Sequence, residues 1–296
     1  MTNCFSGVYA EFTGNDMENK VALTVLADGA FCENLKLAKS AGFKYINVGF
    51  GGFWQLLIEK TWQKTAETIL NALESNGLSA INTHAPYYDL RLSSEIQDEN
   101  LNEAQMLCLK VSKILGASVC AFHPRTRFTG GENLNLAYQD NVRNFAPLVN
   151  EAKKQGVAIG IENLPKFPEW HPVFYSCYVS DQLRLIDYFG DPSAVCAVWD
   201  TGHANLMKEE QTESIKTLGT RIKATHIHNN FKDDDKHFAP SVGNIDWAAV
   251  AKAFKQAGYC GYFTSESNLL SGDLGGEYIK HIYDCLIKIE KLFNEA

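Results

Sequence analysis

The chain has 296 residues, 45% of them hydrophobic and 21% charged, proportions ordinary for a water-soluble globular fold. Lys and Arg number 27 against 35 Asp and Glu, a formal net charge of −8 that gives no support to broad nucleic-acid binding. No apolar stretch reaches membrane-spanning length, and the start, MTNCFSGVYAEFTG, lacks a basic region followed by an apolar one.

The eight cysteines include no C-x-x-C pair, and several lie in apolar runs. Reduced, mostly buried thiols and a cytoplasmic setting are the expectation, rather than a disulfide framework. The length admits two domains or a single α/β barrel, since such barrels run to about 250 residues. No proline- or serine-rich linker interrupts the chain, so one domain over 1–296 is the expectation.

In chain order, the first strand has two candidates, GVYAEFT (7–13) and KVALTVLA (20–27), of which the second is preferred. FCENLKLAKSAG follows, with Phe31, Leu35 and Ala38 on one helical face and Gly42 ending it. Seven short apolar runs then read as buried parallel strands: FKYINVGF (43–50), LSAINTHAP (78–86), SVCAFHP (118–124), VAIGIEN (157–163), AVCAVWD (194–200), IKATHIHN (222–229) and GYFTSES (261–267). GFGGF (49–53) is a poor match to a dinucleotide-binding turn, which weighs against an open doubly wound sheet. In DWAAVAKAFKQAGY, Trp247, Val250, Ala251, Phe254 and Ala257 keep helical spacing, Asp246 is placed to cap the start, and Gly258 to end it.

His84, His123, Glu162, Asp200, His228 and Glu266 stand at or beside the C-terminal ends of these strands. Their steps along the chain are 39, 39, 38, 28 and 38 residues, the recurrence of one strand–helix unit in a (β/α)8 barrel. In that fold the strand ends converge on one mouth, so these groups would surround one point. His203 adds an imidazole after Asp200, and Asp235 and His237 come from DDDKH after the seventh strand.

Any one of these has a plain structural explanation. Asp200 can cap a helix, and Asp233 and Asp234 read best as a solvated loop. Ionised carboxylates gathered together, however, require a cation. Mixed His, Asp and Glu donors suit Zn²⁺ or Mn²⁺, with Mg²⁺ or Co²⁺ as further options, and nothing clusters cysteines for a structural zinc. In THIHN, His226 and His228 face the same way along a strand. His228, nearer the mouth, is assigned to the metal; His226 either orients ligands from behind or is a satisfied core histidine.

With HAPYY, FHP, IEN, DTGHAN, HIHNN, DKH followed by VGNIDW, and SES in this order, the chain resembles the xylose isomerase-like TIM barrel superfamily over roughly 30–285. That group joins sugar isomerases and epimerases with abasic-site endonucleases. Resemblance to the epimerases implies one divalent metal held by Glu162, Asp200, His228 and Glu266, with both glutamates moving protons α to a carbonyl. Resemblance to the endonucleases implies up to three zinc ions on His84, His123, Glu162, Asp200, His203, His228, Asp235, His237 and Glu266, and phosphodiester hydrolysis. Dimers are common in the superfamily, so a homodimer is a further implication.

Two features depart from the endonuclease pattern. The segment LPKFPEWHPVFYSCY (164–178) replaces an Ala-Gly-Gln-Gly segment and carries Phe167, Trp170, Phe174, Tyr175 and Tyr178. Its aromatics either cover a sugar, Trp170 foremost, or pack on one another. The mouth loops also lack basic stripes apart from Arg125 and Arg127, which either clamp a substrate anion or are surface arginines. From the epimerases, the chain departs in having NNFKDDDK where an arginine often follows the seventh-strand histidine.

The expectation is a metal-dependent sugar, sugar-acid or polyol isomerase or epimerase with a carbohydrate substrate. The alternatives are a multinuclear zinc phosphodiesterase and a barrel that binds sugar without turnover.

Overall fold

The computed structural model describes residues 19–51, 55–58, 61–87, 95–126, 134–165, 174–207, 210–270 and 274–296. Eight parallel strands form one sheet: β1 (Val21–Leu26), β2 (Tyr45–Gly49), β3 (Ser79–His84), β4 (Val119–Phe122), β5 (Ala158–Glu162), β6 (Val195–Asp200), β7 (Ile222–His226) and β8 (Phe263–Ser265). The helices alternate with them: α1 (Phe31–Ala41), α2 (Gln55–Ile58), α3 (Trp62–Ser75), α4 (Glu95–Leu115), α5 (Leu134–Gln155), α6 (Val179–Phe189), α7 (Thr201–Met207), α8 (Gln211–Leu218), α9 (Trp247–Gln256) and α10 (Gly275–Glu295).

Strand order runs β7-β6-β5-β4-β3-β2-β1-β8. A single parallel bridge, Ile227 to Ser265, joins the two ends into a (β/α)8 barrel. All seven later runs become strands, and the first strand falls on 20–27; the competing 7–13 lies outside the described residues.

Side chains alternate along each strand between the helix layer and the barrel interior. Outward residues such as Leu23, Val25, Ile46, Val48, Ile159 and Ile161 belong to the main apolar core beneath the helices. Inward residues Val119, Ala121, Cys196, Val198 and Ala224 form a second, smaller cluster inside the barrel. Gly160 faces them, and a Cβ there would stand 2.4 Å from Val198 Cγ2, so no larger residue fits this layer. The opposite inner wall is polar, with Thr24 paired across the ladder to Asn47 and Asn47 to Asn82.

The two helices whose ends the sequence marks are bounded as expected. Gly42 takes a left-handed φ of 110° after α1 and donates its backbone N–H to Ala38 and Lys39 carbonyls. The Asp246 side chain accepts from the Ala249 N–H at the start of α9. The seven cysteines among the described residues are free and five are buried, with Cys32 and Cys260 exposed. Among those residues no helix is long and apolar enough to cross a membrane.

Candidate metal centre

Strand ends β3 to β8 deliver their polar residues to one mouth. Glu162, at the end of β5, is fully buried and lies at the middle of the group. Its Oε2 stands 3.2 Å from His84 Nε2 and 3.4 Å from His123 Nε2. Its Oε1 stands 3.0 Å from His226 Nδ1 and 3.6 Å from His203 Nδ1. Glu266 Oε2 approaches the same His226 Nδ1 at 3.3 Å.

Asp200, also fully buried, faces His228 Nε2 at 3.0 Å and fixes the turn into α7 by accepting the His203 N–H at 2.7 Å. A two-way amide contact locks it in place: the Asp200 N–H donates to Asn163 Oδ1 and Asn163 Nδ2 donates to the Asp200 carbonyl. Gly202 lets α7 pass under the His228 ring, since a Cβ there would lie 1.9 Å from Cε1.

Asp235 reaches in from the loop after β7, 3.4 Å from His203 Nε2 and 3.2 Å from His237 Nε2. His237 sits in the left-handed region at φ 47° and stacks on His228 with ring centroids 3.8 Å apart. Strain of that kind is held where surrounding contacts over-determine it.

Hydrogen bonds set the tautomers. His84, His203 and His237 each donate Nδ1–H to a backbone carbonyl, of Ala85, Asn163 and Glu266 respectively. Each thereby turns Nε2 toward the carboxylates, the arrangement that readies a histidine to ligate.

The charges compensate one another. Burial pushes Glu162 up, yet His226 and His123 hold it well below the usual carboxylate range. Burial likewise opposes ionisation of Asp200 and Asp235, but His203 beside both keeps them low. Burial lowers His226, and Glu162 with Glu266 overcomes it, carrying it to about 10; His237 is raised to about 9 against burial by Asp235. His203 is raised well above its ordinary value by Asp200 and Asp235 against burial, whereas His123 is lowered, burial outweighing Glu162.

Three buried polar atoms here still have no hydrogen-bond partner: Glu162 Oε2, His228 Nδ1 and Asp235 Oδ1. Four sets of donors converge within 4.8 Å: Glu162, Asp200, His226 and Glu266; His84, His123 and Glu162; His84, His226 and Glu266; and His203, His228, Asp235 and His237. Orphaned oxygens amid nitrogen and carboxylate donors, with no sulfur, fit a divalent cation.

The nine expected residues therefore meet at one mouth, with one difference of grouping. The sequence placed His228 with Glu162, Asp200 and Glu266; in the structure His226 shares a donor set with those three, and His228, 3.0 Å from Asp200, also shares one with His203, Asp235 and His237. A register shift in β7, pairing Val198 with Ala224, brings His226 opposite Asp200. Arg125 is buried, its Nη2 donating to Asn102 Oδ1 at 2.6 Å and Gln105 Oε1 at 3.1 Å. With His123 and Tyr87 it lines a small cavity of about 40 Å³. Arg127, Phe167 and Trp170 lie outside the described residues. Of the remaining loop aromatics, Tyr175 is wholly buried and donates its hydroxyl to the Asp181 carbonyl, as a packing residue does.

Sequence reasoning missed Asn163 and Tyr87, though both stand inside quoted motifs, IEN and HAPYY. Tyr87 stacks on His123 at 4.6 Å and meets His84 edge-on, covering both.

Comparison with known proteins agrees with this architecture. Residues 35–283 match the model of the xylose isomerase-like TIM barrel family, and the chain belongs to that family. It is 28% identical over 254 residues to the uncharacterized protein y4fM of Sinorhizobium fredii, covering 78% of this chain and 79% of that one. It is 26% identical over 232 residues to an L-ribulose 3-epimerase of Methylomonas sp., covering 78% and 76%. Among solved structures, a D-tagatose 3-epimerase-like protein superposes with a TM-score of 0.73 at 18% identity, covering 92% of this chain and 98% of that one.

Proposed function

We propose that this protein is a divalent-metal-dependent epimerase or isomerase of a sugar, sugar acid or polyol. The observation that carries the reading is the meeting of two glutamates, from β5 and from the end of β8, at one histidine nitrogen, with Asp200 in the same donor set. The relatives named for epimerisation of L-ribulose and D-tagatose support it.

Glu162, Asp200, His226 and Glu266 would hold the ion, with Zn²⁺ or Mn²⁺ favoured by the donor chemistry. A bound divalent cation supplies positive charge that offsets an enediolate as it develops. Glu266 is the more accessible base, its side chain 17% exposed against 0% for Glu162. Glu266 Oε2 therefore takes the proton from the carbon α to the carbonyl. Glu162 Oε2, which has no hydrogen-bond partner, would take up a proton from water as the enediolate forms and give it to that carbon, while Glu266 gives the proton it removed back to water. His226 keeps the two carboxylates aligned, and the Tyr87 ring shields His84 and His123 from water.

Glu266→Gln should lower deuterium exchange from heavy water at the α carbon of a bound ketose by at least about 100-fold while the fold survives. Exchange at the wild-type rate would remove the role given to Glu266.

A second reading rests on the groups around His84 and around His203, which leave room for more than one ion. It is a multinuclear zinc phosphodiesterase of the abasic-site endonuclease type. Zinc-loaded protein that leaves abasic duplex DNA intact would exclude the repair activity.

A further inference from the structure

Beside Glu266, the inner wall of the barrel carries a polar pair for which the proton-transfer scheme has no use. Leu23 pairs with Ser265 across β1 and β8, so the next residue on each strand, Thr24 and Glu266, stand side by side and face inward. Thr24 pairs in turn with Asn47 on β2, and Asn47 Nδ2 donates to Thr24 Oγ1 at 3.0 Å. Asn47 is 0% exposed, and its Oδ1 has no partner. Exchanging the two amide atoms does not cure this: Oδ1 would then accept from Thr24, and Nδ2 would be the buried group without a partner. A lone buried amide arm costs about 1–3 kcal/mol when nothing fills it.

Above this pair the wall is lined by Leu26, part of which is exposed. Leu26, next inward on β1, is 43% exposed, and Thr24 below it is still 7% exposed. Gly49, opposite Leu26, contributes no side chain, and a Cβ there would lie 2.8 Å from Leu26 Cδ2. Thr24 thus keeps a small exposed surface on the inward face of β1, beside Glu266. Thr24 uses its oxygen as acceptor for Asn47, which leaves its O–H to donate elsewhere on the inner wall.

We infer that Thr24 and Asn47 form a hydroxyl-reading subsite for the chain of a polyhydroxy ketose, selecting substrates with carbons beyond the reacting carbonyl and its neighbour. The inference rests on the epimerase reading for the placement of the reacting carbon at Glu266. A substrate hydroxyl accepts from Thr24 and donates to Asn47 Oδ1, satisfying both groups at once. An apolar substrate tail would leave both unpaired, so the pair rejects it as well as favouring the polyol.

The test is calorimetric binding to metal-loaded protein, with hydroxyacetone as the short probe and D-fructose, D-tagatose and L-ribulose as the long ones. Hydroxyacetone has the carbonyl and one adjacent hydroxyl but no further hydroxyl to be read. In the wild type, the tightest of the three ketoses should bind at least about tenfold better than hydroxyacetone. Thr24→Val and Asn47→Leu should each cut that preference about five- to tenfold, one hydrogen bond's worth, with hydroxyacetone affinity unchanged. The double variant removes both partners of the buried contact and leaves no orphan, so its melting temperature should match or exceed that of either single variant.

A wild type without preference, or a double variant that keeps the full preference, overturns the inference and leaves an ordered water only at Asn47. These binding outcomes are independent of the Glu266→Gln exchange result: failure of exchange chemistry alone removes the epimerase reading, and failure of the preference alone removes the subsite.

Discussion

Asn163 shows how one side chain can hold a site without touching a ligand. Its amide exchanges two hydrogen bonds with the backbone of Asp200, so the end of β6 is fixed to the end of β5. Asn163→Leu leaves the Asp200 N–H and carbonyl without these partners and should destabilise the fold by about 1–3 kcal/mol in urea denaturation. Asp191 provides a pH probe remote from the metal centre. The Ser193 hydroxyl, followed by Lys153, holds its carboxyl down to about 2 from an ordinary 3.8. A depressed folded value means stabilisation that is complete above the unfolded value and lost as pH falls through the folded one. Wild type should therefore melt above Asp191→Asn at pH 6, with the gap closing between about pH 4 and pH 2. A gap unchanged with pH would show that Asp191 acts by something other than its charge. At this scale the sequence was informative about residue type and less so about partnership. That nine residues of ligand type would gather at one mouth was legible from the strand ends and the segments after them, but the way His226 and His228 divide between the donor sets was not. Counting along one strand takes no account of the stagger between strands, and stagger decides which residue pairs with Asp200 on the ladder.

Among the elements, the parallel strands were legible because helices bury their outer face and neighbouring strands their edges, which leaves near-continuous apolar runs. The bulges were not. Ladder shifts between Ile46 and Asn47 in the pairing of β2 with β3, and between Ala197 and Val198 in that of β6 with β7, depend on cross-strand packing and have no local signature. Helix α9 was the clearest helix in the sequence, with its capping aspartate, its apolar stripe and its closing glycine all local. Val250, Ala251 and Phe254 are buried, as their spacing implies, while Trp247 is only partly so and donates its indole N–H to the Pro240 carbonyl. Asp246→Ala removes the bond to the Ala249 N–H and should cost about 1 kcal/mol of stability, read from the denaturation midpoint. An unchanged midpoint would mean that the loop before α9, rather than its cap, sets where the helix begins.

For the molecule as a whole, ions and fold are predicted to be linked. The folded protein gathers ligand atoms that an unfolded chain scatters, so ions bound at the mouth favour the folded state by mass action. Stripping metal with a chelator should lower the melting temperature by several degrees, and adding Zn²⁺ or Mn²⁺ should restore it; indifference to both would argue against a metal centre. Elemental analysis of protein purified without chelator decides between the two functional readings. About one ion per chain accords with the group around His226, and two or three zinc ions accord with occupation of the outer histidines as well.

The barrel closes unevenly. Seven strand pairs share ladders of three or more residue pairs, two of them shifted once, but β7 and β8 meet through the one bridge at Ile227 and Ser265, bonded from Ile227 N–H to the Thr264 carbonyl and from Glu266 N–H to the Ile227 carbonyl. This is the thinnest seam in the wall, and the residues flanking it are His226 and Glu266. An ion gripped by both would act as a clasp across the seam, so that the same bond set that arms the site would also keep the staves of the barrel from parting.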